Sequence, residues 1–488
     1  MNRLFLLLAI TTILTCAENE PFKHHRHYEP TLMSIRNHKC PEWFKDAKFG
    51  MFIDYGIYSV AGWAPMNEKG GPMYPDWYLH NMYMHEEWRD YHEKTWGKDF
   101  ERDDFIPLFT AENFDPDGLI QLAAESGMKY VIPFCKHHDG FCLWPSSYTD
   151  RDATDTGPKR DLIRPLVDAC LKHDLKFGFY FSIEEWEYPI INKSGDMHIR
   201  LWSHWDKQDK MVPYNEKEFA GKISGKKPVK DFFADYIIPQ AKEFIDLYDP
   251  DILWCDGEWE TPLSETRTPE IVSYFYNQAS GRKKVVSNDR LGRDTRFKSG
   301  DFFTSEYHSL ESEQPKFVHK WEECRGISQS FGYNRQDTEK NVITTKEFID
   351  MFVEIVSENG NLLLIVNLDG KGALPKIQEK RLKEIGIWLD INGEAIYATK
   401  PWLVSHQGDN IRFTQSKDEK YVYAICSDYS ANFVEIKSVY LDQSARVTML
   451  GTDNELTWTK QSDKVVINIP DSIEKPGKYA YVLRLEMS

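Results

Sequence analysis

The sequence contains no CxxC pair, no glycine-rich phosphate loop and no serine elbow, and no apolar run in it reaches 18 residues. These absences argue against a zinc ribbon, a nucleotide-binding fold, an α/β-hydrolase site and a membrane-spanning helix. Eight scattered cysteines in 488 residues are too few for a disulfide-built scaffold. Basic residues are outnumbered as well: 60 Lys and Arg against 77 Asp and Glu leave a net charge of −17. A nucleic-acid partner would need a basic stripe, so none is expected. There is no internal repeat and no low-complexity tract. What is present is an aromatic surplus, 14% of the chain with 15 Trp, 25 Tyr and 28 Phe. Flat side chains suit the apolar faces of sugar rings, and they suit large cores equally.

The N-terminus reads as an export signal over residues 1–17. Arg3 supplies a positive start, and Leu4 to Leu14 is apolar but too short to span a bilayer. Cleavage after Ala17 and a loose lipobox ending at Cys16, with a lipid anchor there, are both open. The protein is therefore expected outside the cytoplasm: secreted, periplasmic or lipid-anchored, or lysosomal in an animal. The remaining cysteines, such as Cys135 and Cys255, sit in apolar runs and read as buried small hydrophobes. Asn192-Lys-Ser194 is a glycosylation sequon that matters only in a eukaryote.

Apolar runs ending in polar residues alternate with helical patterns over residues 30–395. The runs are 48–56, 129–140, 175–182, 252–257, 284–290, 301–307, 327–333 and 362–368. Most are too continuously apolar for a half-exposed sheet, which points to parallel strands buried on both faces. A helix is expected from Phe114 to Gly127 with Asn113 before it, and Thr344-x-x-Glu347 reads as a capping box ahead of a face made by Ile349, Phe352, Val353 and Val356. This is the pattern of an α/β chain forming a (β/α)8-like, TIM-type barrel. Residues 192–230 read as a long polar loop on its active face. From 398 to 488 short alternating runs between turn signals predict a C-terminal β-sandwich.

In such a barrel the C-terminal ends of the strands face the active mouth. Those ends carry Asp54, His137-His138-Asp139, Glu184-Glu185-Trp186, Asp256-Gly-Glu258-Trp259, Asn288-Asp289-Arg290 and Glu306-Tyr307-His308. Paired carboxylates beside aromatic platforms are what glycosidic cleavage requires: one attacks or stabilises the oxocarbenium-like transition state, the other protonates the leaving oxygen. The two adjacent histidines make a poor metal site, because neighbours on a strand point oppositely. No metal and no cofactor is expected.

Five ordered blocks also carry a resemblance: Trp43 to Gly50 with Phe52-Ile-Asp54-Tyr55-Gly56, Lys136 to Phe141, Leu253 to Trp259, Asn288 to Arg290, and Asn392 to Tyr397. Together they resemble the α-L-fucosidases of glycoside hydrolase family 29. The resemblance implies a retaining exo-glycosidase that removes terminal α-L-fucose from an oligosaccharide or glycoconjugate through a covalent glycosyl-enzyme. It implies Asp256 as nucleophile. Glu306 matches the bacterial form of the acid/base motif and ends a strand-like run. Glu322, in a segment read as helix or loop, resembles a position considered in animal members and is the runner-up. His137, His138, Tyr180, Trp254 and Arg290 match positions lining the sugar pocket, Phe331 the position packing on the fucose methyl, and Asp76-Trp77 a place where the family usually has Glu-Trp.

Two departures stand out. The family generally reads His-Trp-Gly where this chain has Asp54-Tyr55-Gly56, and Leu362 to Asn367 lacks the Asn usual after three leucines. An ionised Asp54 would only accept from a sugar hydroxyl, and would add negative charge near Asp256. An altered glycone such as an α-L-galactoside, and a carbohydrate-binding protein that has lost turnover, are the alternative readings. Linkage preference is expected to lie in loops such as 66–105 and 187–230.

Overall fold

The computed structural model describes residues 27–487 except 68, 70, 203–209, 226, 308–318 and 453; the export signal and Cys16 lie outside them. Eight parallel strands make one curled sheet: β1 Phe49–Asp54, β2 Tyr130–Lys136, β3 Lys176–Ser182, β4 Ile252–Asp256, β5 Val286–Ser287, β6 Phe303–Glu306, β7 Trp321–Gly326 and β8 Gly360–Asn367. Neighbours in chain order are hydrogen-bonded from β1 to β5 and from β6 to β8, and β1 also pairs with β8, the registers running Phe49 to Leu362 through Asp54 to Asn367. Every residue of β1, β2 and β8 is buried. That is the consequence of helices covering one face and the barrel interior the other. Among the described residues, no helix is long and apolar enough to cross a membrane.

Strands β5 and β6 share no ladder; side chains close the ring between them. Asp301 accepts from the Ser287 backbone N–H (3.0 Å), and its own N–H donates to the Ser287 carbonyl (2.8 Å). Its carboxylate also takes the Tyr276 hydroxyl and His38 Nδ1, both at 2.8 Å. Asp289 then bonds the Thr304 N–H (3.1 Å) and hydroxyl (2.8 Å). The barrel seam is therefore acidic, and it lies beside the strand ends that carry Arg290 and Glu306.

The helix before β2 runs Pro116–Glu125, with Asp115 rather than Asn113 as cap: its side chain accepts from the Gly118 N–H, and Pro116 takes the first helical position. The Thr344–Glu347 capping box forms as read and starts the helix Thr345–Ser357, whose Ile349, Phe352, Val353 and Val356 are all buried. Two other expectations need correction. The strand expected at 327–333 is a loop, and the strand is β7, just before it. Trp321-Glu-Glu-Cys-Arg-Gly326 looks too charged for a buried strand, yet Glu322 and Glu323 are fully buried. The stretch read as a long loop holds a three-stranded antiparallel sheet, Glu187–Ile191, Met197–Leu201 and Lys210–Pro213.

Beyond the last barrel helix, Lys376–Asn392, a five-stranded and a three-stranded antiparallel sheet enclose a core that includes Phe413, Val422, Ile436, Val465, Ile467 and Leu483. This is a sandwich. It is tied to the barrel by Trp388 Nε1, which donates to the Ala480 carbonyl at 2.8 Å. All seven cysteines of the described chain are free, and all but Cys40 are buried.

Removing the Asp301 carboxylate would leave the Ser287 N–H and the Tyr276 hydroxyl unpaired in the interior. Asp301→Ala is expected to cost about 3 kcal/mol and to lower the melting temperature, whereas exposed Asp418→Ala is expected to leave it unchanged; calorimetry of both variants checks this.

Candidate active site

A cavity of about 850 Å³ opens at the C-terminal ends of the strands. Asp256 ends β4 in its wall. The chain then turns sharply through Gly257 (φ +94°), where a Cβ would press to 3.1 Å from Glu184. Both Asp256 oxygens are engaged: Arg290 Nη1 donates to Oδ1 at 2.6 Å, and the Tyr180 hydroxyl donates to Oδ2 at 2.8 Å. Glu306 ends β6. The Tyr74 hydroxyl donates to its Oε1 (2.9 Å) and Arg290 Nη2 to its Oε2 (3.4 Å). One guanidinium thus joins both carboxylates. Burial alone would weaken its charge, but Asp256, Glu258 and Glu306 outweigh that and hold Arg290 protonated.

Arg290 is seated from below. Its guanidinium lies 4.8 Å over the Trp254 ring, a contact worth about 2 kcal/mol when desolvated. Its Nε donates to the Thr304 hydroxyl at 3.0 Å. Trp254 in turn donates to Glu322 Oε1 (3.0 Å), and the Tyr130 hydroxyl donates to Glu322 Oε2 (2.5 Å). Glu322 is therefore on a strand inside the barrel, not in a helix or loop. It does not line the cavity, and burial pushes its carboxyl up to about 7.

His137 and His138 follow β2 rather than ending it, so the opposed pointing of strand neighbours does not apply, and both rings face the cavity with centroids 4.2 Å apart. The Ser182 hydroxyl donates to the Glu184 carbonyl (2.5 Å), so it accepts from His138 Nδ1 (2.6 Å). In the neutral ring this turns the Nε2 lone pair toward the cavity, 3.7 Å from Asp256 Oδ2. His137 Nε2 lies 3.5 Å from Asp76. Burial, then His138, holds the His137 imidazole well below its usual range and hence neutral. Asp76 Oδ1 and His137 Nδ1 are buried without a hydrogen-bond partner among the described residues, the disposition of groups that a ligand hydroxyl completes.

The loop carrying Tyr74, Asp76 and Trp77 is strapped down by the segment after β7. Met73 and residues 329–331 exchange backbone bonds of 2.8 and 2.7 Å. A Cβ at Gly332 would come within 2.8 Å of the Asp76 nitrogen, so the close approach needs glycine. Phe331 lines the cavity and packs 5.7 Å from Tyr74. Trp259 lines it too, stacked 5.4 Å on Trp202 from the inserted sheet.

Of the residues expected at the site, Asp76, Trp77, His137, His138, Tyr180, Asp256, Glu306 and Phe331 line the cavity, while Asp54, Trp254, Arg290 and Glu322 lie beneath it. Glu184 and Glu185 turn away into pairs with Arg200 and Lys136, and Glu258 pairs with Arg296. Sequence reasoning passed over Tyr74, which holds Glu306, and gave Trp259 no role; their only signal was an aromatic near a motif. Among the described residues, no group of His, Cys, Asp and Glu is arranged to hold a metal ion.

The α-L-fucosidase family model matches residues 15–394, and the model of the α-L-fucosidase C-terminal domain matches residues 406–486. The chain belongs to the α-L-fucosidase family. It is 31% identical to the tissue α-L-fucosidase of Homo sapiens over 94% of this chain and 92% of that one. The α-L-fucosidase of Branchiostoma floridae is 29% identical over 99% of both chains. Among solved structures, Thermotoga maritima α-fucosidase in complex with fucose superposes with a TM-score of 0.74 at 32% identity, covering 94% of this chain and all of that one. Within this family fold the Asp54 departure acquires a physical meaning. Burial pushes its carboxyl up to about 8, with the nearby Tyr58 hydroxyl opposing only in part, so at neutral pH Asp54 is protonated and adds no charge. The carboxyl it acts on is Asp76, held well above the usual range by burial and then by Asp54.

Asp54 titrates near its ordinary 3.8 in the unfolded chain and near 8 in the folded one. Between these values the folded state binds more protons, so the stability due to this group is complete below about pH 4 and is lost as pH rises through 8. Asp54→Asn is therefore expected to flatten the fall in melting temperature between pH 5 and 8; parallel profiles for variant and wild type would refute this.

Proposed function

We propose that the protein hydrolyses terminal α-L-fucosides with retention, Asp256 acting as nucleophile and Glu306 as acid/base. The observation that carries this reading is the single Arg290 guanidinium holding these two carboxylates at one end of a cavity. Asp256 attacks the anomeric carbon while Glu306 gives its proton to the glycosidic oxygen, which leaves with the bonding pair. Glu306, now ionised, takes a proton from water, and the resulting hydroxide character attacks the same carbon and frees Asp256. Tyr180 and Arg290 aim Asp256, and Tyr74 aims Glu306. His137, His138 and Asp76 receive the ring hydroxyls, Trp77 and Trp259 flank the sugar, and Phe331 takes its methyl group. Trp254 and Glu322 position Arg290 from below.

The substrate is a fucosylated oligosaccharide or glycoconjugate. A neutral Asp54 that does not line the cavity gives no reason for a changed glycone. Residues 30–395 form the catalytic barrel, and the sandwich of 398–488 buttresses it. The charged start and short apolar run of residues 1–17 support export, with cleavage after Ala17 or acylation at Cys16.

Hydrolysis of an aryl α-L-fucoside tests the reading. Asp256→Ala is expected to lose on the order of 10³-fold or more in kcat. Glu306→Ala is expected to lose about 10²- to 10⁴-fold on a poor leaving group and much less on dinitrophenyl fucoside, which departs without a proton. Full activity in Asp256→Ala would sink the mechanism.

A further inference from the structure

The cavity exceeds what one sugar ring needs. Its volume of about 850 Å³ lies high in the range of about 300–1,000 Å³ typical of small-molecule sites, and Asp256, Glu306 and the two histidines wall only one end. The other end follows the helix Tyr78–Met84. Asn81 lies within this helix, Trp77 just before it and His85 just after it, and all three line the cavity. At 1.5 Å per residue the seven-residue helix is about 10 Å long. Glu86, Glu87 and Trp88 of the next helix continue the lining.

The chemistry of this arm is that of a sugar-binding surface. Asn81 is only 6% exposed, yet its side-chain Oδ1 has no hydrogen-bond partner among the described residues. A buried acceptor left unpaired is unfavourable, and a ligand hydroxyl reaching it removes that cost. Trp88 is held edge-on against Trp63 at 5.4 Å and contributes to the wall. Glu86 and Glu87 are exposed at the rim and can only accept when ionised. Among the described residues lining the cavity there is no Lys or Arg to balance an anion.

We propose that this arm is a leaving-group subsite for a second, uncharged sugar, with Asn81 Oδ1 accepting from one of its hydroxyls and Trp88 flanking the ring, and that it disfavours a sulfated sugar in the same place. The inference rests on the fucosidase reading of the main site.

The test compares three substrates of the full-length protein: an aryl α-L-fucoside, a neutral fucosylated trisaccharide, and that trisaccharide sulfated on the leaving-group sugar. The wild type is expected to favour the neutral trisaccharide over the sulfated one. Asn81→Ala is expected to lower the ratio of kcat/KM for the neutral trisaccharide to that for the aryl fucoside by about three- to tenfold, mainly through KM. Glu86→Gln/Glu87→Gln, at exposed positions that do not threaten folding, is expected to narrow the neutral-to-sulfated gap, more at low salt than at high. Equal handling of the two trisaccharides by wild type, or an unchanged ratio in a folded Asn81→Ala, would overturn the subsite while leaving the reaction intact. Failure of the folded wild type to cleave any of the three would overturn the reaction and the subsite together.

Discussion

The site depends on one buried cation. Arg290 stands just beyond β5, between the acidic ends of β4 and β6, and its guanidinium reaches Asp256 on one side and Glu306 on the other. Two carboxylates this close in a poorly solvated place would repel each other; a shared cation removes that repulsion and sets their spacing. The fork geometry of arginine is what permits this, since a lysine presents a single point of charge. The support continues downward through Trp254 to Glu322 and Tyr130, so the barrel interior is built around keeping this guanidinium in place.

The rest of the cavity handles its acidity by a different route, neutralisation. Asp54 and Asp76 are buried deeply enough to hold their protons, and His137 is buried deeply enough to shed its own. Asp54, Asp76 and His137 thus add no full charge around the group formed by Asp256, Arg290 and Glu306. An uncharged sugar then meets fixed neutral donors and acceptors instead of competing ions. The replacement of an imidazole by Asp54 fits this scheme, because a protonated carboxyl can donate as an imidazole N–H does.

Insertions between strand and helix supply the remaining walls. The strap of residues 327–333 holds Tyr74, Asp76 and Trp77 over the mouth. The inserted sheet sends Arg200 to Glu184 and Trp202 to Trp259. Loops placed by a rigid barrel in this way can change the leaving group accepted without disturbing the chemistry beneath.

What the sequence by itself determined is what short stretches of chain encode. Continuous apolar runs in 48–56, 129–140, 175–182 and 252–257 could only be strands covered on both faces, and the polar residues at their ends could only lie at the mouth. Thr344 and Glu347 cap a helix through contacts three residues apart. The (β/α)8-like barrel, the β domain and the candidate carboxylates follow from such signals. What only the tertiary structure decided are groups whose meaning depends on distant partners. Glu322 reads as a loop charge until Tyr130, 192 residues away, is seen to bond it. Tyr74 reads as one aromatic among many until its hydroxyl is found on Glu306, 232 residues on. A charged or polar side chain is buried only where another part of the chain compensates it, and the local pattern does not carry that information.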